Sequence, residues 1–270
     1  MDSNILTIKD FRANNKGNVN LKLFISVLFL TIISSYTCLA DPLVKDGEKI
    51  VFMGDSITAQ GTKLPSGYVR LVISALNTNG IKIVPYFAGI GGNKSNDMLA
   101  RLENDVLSRN PDSMTLSCGV NDVWHGKKGV PLDQYKKNIT AITERAQAAN
   151  IRVILLTATL IGEDPNNPNN LKLKEYNDFL RIFAKQKNCL IADLNNDMQE
   201  ALKEASSKMT KQKNGNYLTA DGVHMNVYGD QVMAIGLLKA FGLDDFQNNY
   251  PFSALSFSKK PLLILSAYHH

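Results

Sequence analysis

Short apolar runs alternate with longer stretches of helical period along most of this chain, and that alternation restricts the fold more than any other feature. Ile50-Val51-Phe52-Met53, Ile83-Val84-Pro85-Tyr86-Phe87, Met114-Thr115-Leu116-Ser117-Cys118, Val153-Ile154-Leu155-Leu156 and Leu190-Ile191-Ala192 are short and largely continuous, the pattern of strands covered on both faces. Between them Leu71, Val72, Ala75 and Leu76 share one helical face, as do Met98, Leu99, Leu102 and Val106, then Tyr135, Ile139, Ile142 and Ala146, then Tyr176, Leu180 and Phe183. A last helix is predicted from about Tyr228 to Phe241, stopping at Gly242, a residue suited to a left-handed cap. Strands that alternate with helices imply right-handed crossovers. The predicted class is therefore α/β: a three-layer α/β/α sandwich with a five-stranded parallel sheet.

The chain has 270 residues, 44% of them apolar, enough for one good core, and a single domain is expected over residues 41–245. Lys9, Arg12, Lys16 and Lys22 precede the apolar run Leu23 to Ile33, and Thr37-Cys38-Leu39-Ala40 follows. That order predicts a secretory signal over residues 1–40, cut after Ala40, and a secreted or periplasmic protein with no stable membrane insertion afterwards. Two alternatives stay open: an acylated lipoprotein cysteine at Cys38 and an uncleaved anchor. The apolar tail over 246–270 falls outside the α/β alternation, and packing across the body is the expectation for it.

A net charge of +5 is spread among acids rather than gathered in a stripe with aromatics, so nucleic acid is not an expected partner. With Cys38 removed, Cys118 and Cys189 remain, each in an apolar run. Buried free thiols are the expectation, a bridge the alternative. No Cys/His cluster has metal-ligand spacing, and neither metal nor cofactor is expected.

Four short segments carry the chemistry: Gly54-Asp55-Ser56-Ile57, Gly91-Gly92-Asn93, Gly119-Val120-Asn121-Asp122 and Asp221-Gly222-Val223-His224. The first three follow predicted strands and the fourth precedes the last helix, so a parallel sheet delivers all four to the carboxyl edge, where such folds bind ligands. A serine hydroxyl becomes a useful nucleophile on a tight turn beside a base, and Ser56 has that setting. A carboxylate three residues before an imidazole, as Asp221 stands to His224, can hold one ring nitrogen and leave the other free to accept and return a proton. The oxyanion of a tetrahedral intermediate needs preorganised donors. The backbone N–H groups of Ser56 and Gly92 and the side-chain amide of Asn121 are the candidates. Taken singly, each residue also has an ordinary structural reading: a helix cap, a turn glycine, a loop asparagine, a surface histidine.

In order, type and approximate spacing these segments resemble the four sequence blocks of the SGNH hydrolases, also called the GDSL esterase/lipase superfamily. The resemblance runs from about Ile50 to Phe241. It implies a flavodoxin-like sandwich with Ser56 as nucleophile, His224 as base, Asp221 as its partner, and Ser56, Gly92 and Asn121 as oxyanion donors. Asp122 matches a block position and is read as fixing the Asn121 loop. No Gly-x-Ser-x-Gly elbow surrounds the serine, which separates the chain from ordinary α/β-hydrolases.

The expected activity is hydrolysis of carboxylic esters through an acyl-enzyme, with a small-molecule or carbohydrate ester as substrate and O-acetyl groups of carbohydrates as the leading case. Trp124, beside Asn121, is the candidate for packing on a sugar face; simple packing is its plainer reading. Two rim loops, Trp124 to Pro131 and Leu160 to Asn170, are expected to shape specificity. The alternatives are a lysophospholipase or thioesterase acting on longer acyl chains, and a non-catalytic sugar-binding protein on the same fold.

Overall fold

The computed structural model describes residues 42–243; the predicted signal over 1–40 and tail over 246–270 lie outside them. Five strands, β1 (Lys49–Gly54), β2 (Val84–Gly89), β3 (Ser113–Ser117), β4 (Arg152–Leu156) and β5 (Leu190–Ala192), form one parallel sheet in the order β2-β1-β3-β4-β5. Helices α1 (Ser56–Lys63) and α2 (Tyr68–Thr78) join β1 to β2, and α3 (Ser95–Asp105) leads from β2 to β3. The one-turn helix α4 (Val120–Trp124) and the long α5 (Leu132–Ala148) connect β3 to β4, and α6 (Pro168–Gln186) connects β4 to β5. Helices α7 (Leu194–Lys208) and α8 (Val227–Ala240) complete the described chain. α8 packs against α2 and α7, whereas α5 packs against α3 and α6. Right-handed crossovers put these two groups on opposite faces of the sheet. The predicted three-layer sandwich is the observed fold.

Ile50, Val51, Phe52 and Met53 of β1 are fully buried, and all of β3 is buried. Their continuous apolar character follows from lying between two helical layers. β2 departs from the expectation that every strand is covered on both faces: it is an edge strand, and Val84 and Phe87 are each 43% exposed. The Arg70 guanidinium lies 4.8 Å from the Phe87 ring centroid.

From β1 the chain steps outward to β2, and from β3 it steps the other way to β5. The direction reverses between β1 and β3, and the crevice beyond the carboxyl ends of such a pair is where ligands bind in open α/β sheets. β1 delivers Ser56 to that crevice, and β3 delivers Asn121.

The two rim segments are more ordered than loops. Gly126–Lys128 forms a turn of 3-10 helix between α4 and α5. Pro168 to Asn170 belong to the first turn of α6, where Pro at the first position is preset for helix and Asn167 caps the end by accepting the Asn170 N–H. Gly242, at φ +77°, ends α8 in the left-handed conformation as predicted.

Cys118 and Cys189 are unbridged. Cys118 follows the carboxyl end of β3, whereas Cys189 precedes the amino end of β5, and β4 lies between those strands. Two strand spacings, about 9.5 Å, already exceed the Cα separation a disulfide spans. Burial pushes the Cys118 thiol well above its ordinary pKa, which keeps it protonated and unreactive.

Candidate active site

Ser56 is the first residue of α1, and Asp55 caps that helix, its Oδ1 accepting the Ile57 N–H at 2.9 Å. A residue in the first turn of a helix has no intrahelical acceptor for its N–H. The helix therefore leaves the N–H of Ser56 without an intrahelical acceptor, in the same residue as the hydroxyl.

His224 reaches this hydroxyl from the far end of the chain: its Nε2 lies 2.8 Å from Ser56 Oγ. Its Nδ1 lies 2.7 Å from Asp221 Oδ2, while Asp221 Oδ1 accepts the N–H groups of Val223 at 3.0 Å and His224 at 2.8 Å. Burial pushes the Asp221 carboxyl up, but these hydrogen bonds outweigh it and hold the group below its ordinary pKa. An ionised carboxylate only accepts, so the ring proton sits on Nδ1 and the Nε2 lone pair faces the serine hydroxyl. The chemistry open to that arrangement is proton removal from Ser56 Oγ.

The loop carrying this pair is closed on itself and clamped from outside. A bridge joins Thr219 to Met225, and the Ala220 N–H donates to the His224 carbonyl at 2.8 Å. The Glu163 carboxylate accepts the N–H groups of Tyr217 at 2.6 Å and of Leu218 and Thr219 at 2.8 Å each, plus the Thr219 hydroxyl. The Gly162 N–H donates to the Gly222 carbonyl at 2.6 Å. The segment after β4 thus acts on the site from behind.

Gly91 passes close to the serine: a Cβ on it would stand 3.9 Å from Ser56 Cβ. Gly92 has φ +76°, and a Cβ there would meet nothing within 4 Å. It is the backbone conformation, not crowding, that calls for glycine at 92. Arg101 of α3 anchors this turn by donating to Asn93 Oδ1 at 2.7 Å and to the carbonyls of Ala88 and Gly54 at 2.9 Å each.

Asn121 is buried on α4, which opens with Gly119 at φ +133°. A Cβ on Gly119 would stand 3.0 Å from that of Ala158. Asn121 Nδ2 donates to the Asn93 carbonyl at 3.1 Å and makes a longer contact of 3.4 Å with Asp55 Oδ2; its Oδ1 lies 3.1 Å from His125 Nε2. Asp122 braces the same helix. Its Oδ1 accepts the Ser95 N–H at 3.0 Å and the Ser95 hydroxyl at 2.5 Å, which ties α4 to the start of α3. Beneath these groups Asp55 is buried, and desolvation raises its pKa to about 6 against the opposing pull of the Ile57 N–H.

The hydrogen bonds thus join Ser56, His224 and Asp221 directly, and Asn121 through Asn93 to the glycine turn. Trp124 stands 46% exposed on α4, its ring centroid 6.0 Å from that of His125. Asp55, Arg101, His125 and Glu163 were not among the predicted site residues. Of these, Asp55 lies within the first of the four chemical segments, and His125 left a trace in standing four residues from Asn121 across the end of a helix.

Among the described residues no group of three or more His, Cys, Asp or Glu side chains is placed to hold a metal ion, and no helix is long and apolar enough to cross a membrane.

A flavodoxin-like sandwich with a hydroxyl, imidazole and carboxylate in series at its carboxyl edge has the architecture of a serine esterase. The chain belongs to the GDSL-like lipase/acylhydrolase family, whose pattern matches residues 52–232, and it is a carboxylic ester hydrolase. It is 28% identical over 222 residues to an acetylxylan esterase of Geobacillus stearothermophilus, covering 74% of this chain and 97% of that one. The crystal structure of the acetyl xylan esterase AlAXEase superposes with a TM-score of 0.65 at 36% identity, over 71% of this chain and 98% of that one. Esterase TesA of Pseudomonas aeruginosa is 27% identical over 149 residues, 53% of this chain and 69% of that one.

Proposed function

We propose that Ser56 is the nucleophile, His224 the general base and Asp221 its orienting partner, and that the substrate is an O-acetyl ester of a carbohydrate. The observation that carries the catalytic assignment is the unbroken series Asp221 Oδ2, His224 Nδ1, His224 Nε2, Ser56 Oγ, with contacts of 2.7 and 2.8 Å. His224 Nε2 takes the hydroxyl proton as Ser56 Oγ attacks the acyl carbon. The imidazolium that forms is stabilised by Asp221. The carbonyl oxygen gains negative charge and is met by the N–H groups of Ser56 and Gly92 and the amide of Asn121. Collapse returns the proton from Nε2 to the departing alcohol and leaves an acyl-serine. Water, deprotonated by the same nitrogen, then releases the acid.

The two acetylxylan esterases among the relatives support the acetyl and carbohydrate parts of the reading. Trp124 supports them too, as an exposed indole on the helix that carries Asn121, able to pack on a sugar ring. The signal over residues 1–40 fits a substrate met outside the cell and remains part of the proposal.

The test measures acetate release from acetylated xylan and acetylated sugars beside hydrolysis of 4-nitrophenyl esters of graded acyl length. Preference for acetyl is expected. Preference for chains of about eight carbons or more would instead select the lysophospholipase or thioesterase reading. A fluorophosphonate should label Ser56 in the unaltered protein and leave Ser56→Ala unlabelled and folded. No labelling of the unaltered protein would refute the nucleophile assignment.

A further inference from the structure

We infer that His125 is a positioning residue for the oxyanion site, holding the oxygen of the Asn121 amide and so fixing the direction of its less committed N–H. The inference rests on the proposed oxyanion role of Asn121. Its starting point is the orientation of that amide. One end lies 3.1 Å from the Asn93 carbonyl and 3.4 Å from an oxygen of Asp55. A backbone carbonyl only accepts, so the end facing it is Nδ2. The other end, 3.1 Å from His125 Nε2, is therefore Oδ1. An amide oxygen also only accepts, which requires the proton of that pair to sit on His125 Nε2.

The two histidines of this site consequently hold opposite protons. His224 faces a carboxylate through Nδ1 and keeps Nε2 open; His125 faces an amide oxygen through Nε2 and donates there in both its neutral and its charged form. One occupies a position where a base is needed, the other where a fixed donor is needed.

Two effects on Asn121 follow. A hydrogen bond to the amide oxygen draws electron density from the nitrogen and makes Nδ2–H a stronger donor. The same bond opposes rotation of the amide. Of the two Nδ2 hydrogens, the one on Asn93 is committed at a normal distance, whereas the one toward Asp55 makes the longer contact. The latter is the less committed hydrogen, and His125, by holding the amide plane, fixes the direction in which it is presented to a developing oxyanion. The His125 ring is itself exposed and stands beside Trp124, with ring planes 49° apart. It contributes nothing to the core, which separates its effect on the reaction from an effect on folding.

The experiment is a double-mutant cycle on hydrolysis of 4-nitrophenyl acetate, with thermal unfolding of each variant as the folding control. His125→Ala should lower kcat about tenfold with KM nearly unchanged. His125→Gln, whose Nε2–H can stand close to where the imidazole Nε2–H stands, should recover most of that loss. Asn121→Ala should cost about 10²–10³ in kcat, and adding His125→Ala to it should change kcat less than about twofold. Equal losses from His125→Ala in both backgrounds would show that the ring acts independently of Asn121 and would overturn the inference. So would full kcat in His125→Ala, or an effect confined to KM. Full kcat in Asn121→Ala would bring down the oxyanion reading itself, and this inference with it.

Discussion

Glu163 and Thr219 are joined twice, for one carboxylate oxygen accepts both the backbone N–H and the hydroxyl of Thr219, each at 2.8 Å. With the N–H groups of Tyr217 and Leu218 on the same carboxylate, one side chain satisfies four donors at the root of the loop that presents Asp221 and His224. Three successive backbone N–H groups converging on one acceptor fix the direction in which the chain leaves Thr219. The direction in which the imidazole points follows from it.

Replacing Glu163 by Gln sets an NH2 group among these donors and leaves at least one of them without an acceptor. The expected loss is about 1–3 kcal/mol of stability. A loosened loop moves His224 relative to Ser56, so kcat should fall on the order of 10- to 100-fold while KM changes little. Thermal unfolding and steady-state kinetics on one preparation check both; full kcat in a variant of lowered melting temperature would show that the clamp serves folding only.

Gly92→Ala separates backbone conformation from crowding. The φ of +76° and the open space at the missing Cβ mean that an alanine meets no neighbour yet sits in a disfavoured conformation, at a cost of roughly 1–2 kcal/mol. Relief of that strain turns the N–H away. Turnover of 4-nitrophenyl acetate should drop about tenfold or more with a small change in melting temperature, and unchanged turnover would remove Gly92 from the oxyanion assignment.

Buried carboxylates set the pH dependence of stability. Desolvation raises the Asp230 pKa to about 7, only partly opposed by the Tyr68 N–H that donates to it at 2.9 Å. The folded state therefore holds a proton there that the unfolded chain has already lost above about pH 4. More protons bound in the folded state means that stability falls as pH rises from about 4 to 7, and the full penalty is present above 7. Asp55, raised to about 6, adds the same sign over the narrower window from about 4 to 6. Asn at 230 keeps the acceptor for Tyr68 without the charge. Asp230→Asn should accordingly gain on the order of 2–4 kcal/mol at pH 8 and little at pH 4. Chemical denaturation at the two pH values measures this, and equal effects at both would contradict the buried-charge account.

The strands and the long helices were readable because their burial is two-sided or periodic, as Ile50 to Met53 and Tyr135 to Ala146 illustrate. The first three chemical segments were readable because a parallel sheet sends every strand end to one edge, and the fourth because a carboxylate stands three residues before an imidazole there. Helix α1 was not: Ser-Ile-Thr-Ala-Gln-Gly-Thr-Lys has no broad apolar face, and Gly61 interrupts it because a Cβ there would lie 2.5 Å from the Tyr68 ring. Helix α7 likewise buries only Leu194, Asn195, Met198 and Ala205. The exposed β2 carries a strand-like sequence, but its edge position depends on the sheet order. Glu163 was invisible for a different reason. It binds main chain more than fifty residues away, and an acceptor that recognises backbone N–H groups places no demand on the residues that carry them.

Ser56 and His224 are separated by 168 positions, so synthesis delivers the hydroxyl early and the imidazole only when most of the polypeptide has been made. With His224 as the proposed base, a nascent chain is expected to turn over ester only once that late segment has emerged and seated itself. On that assignment any product truncated ahead of it is expected to be inert however well its first strands associate.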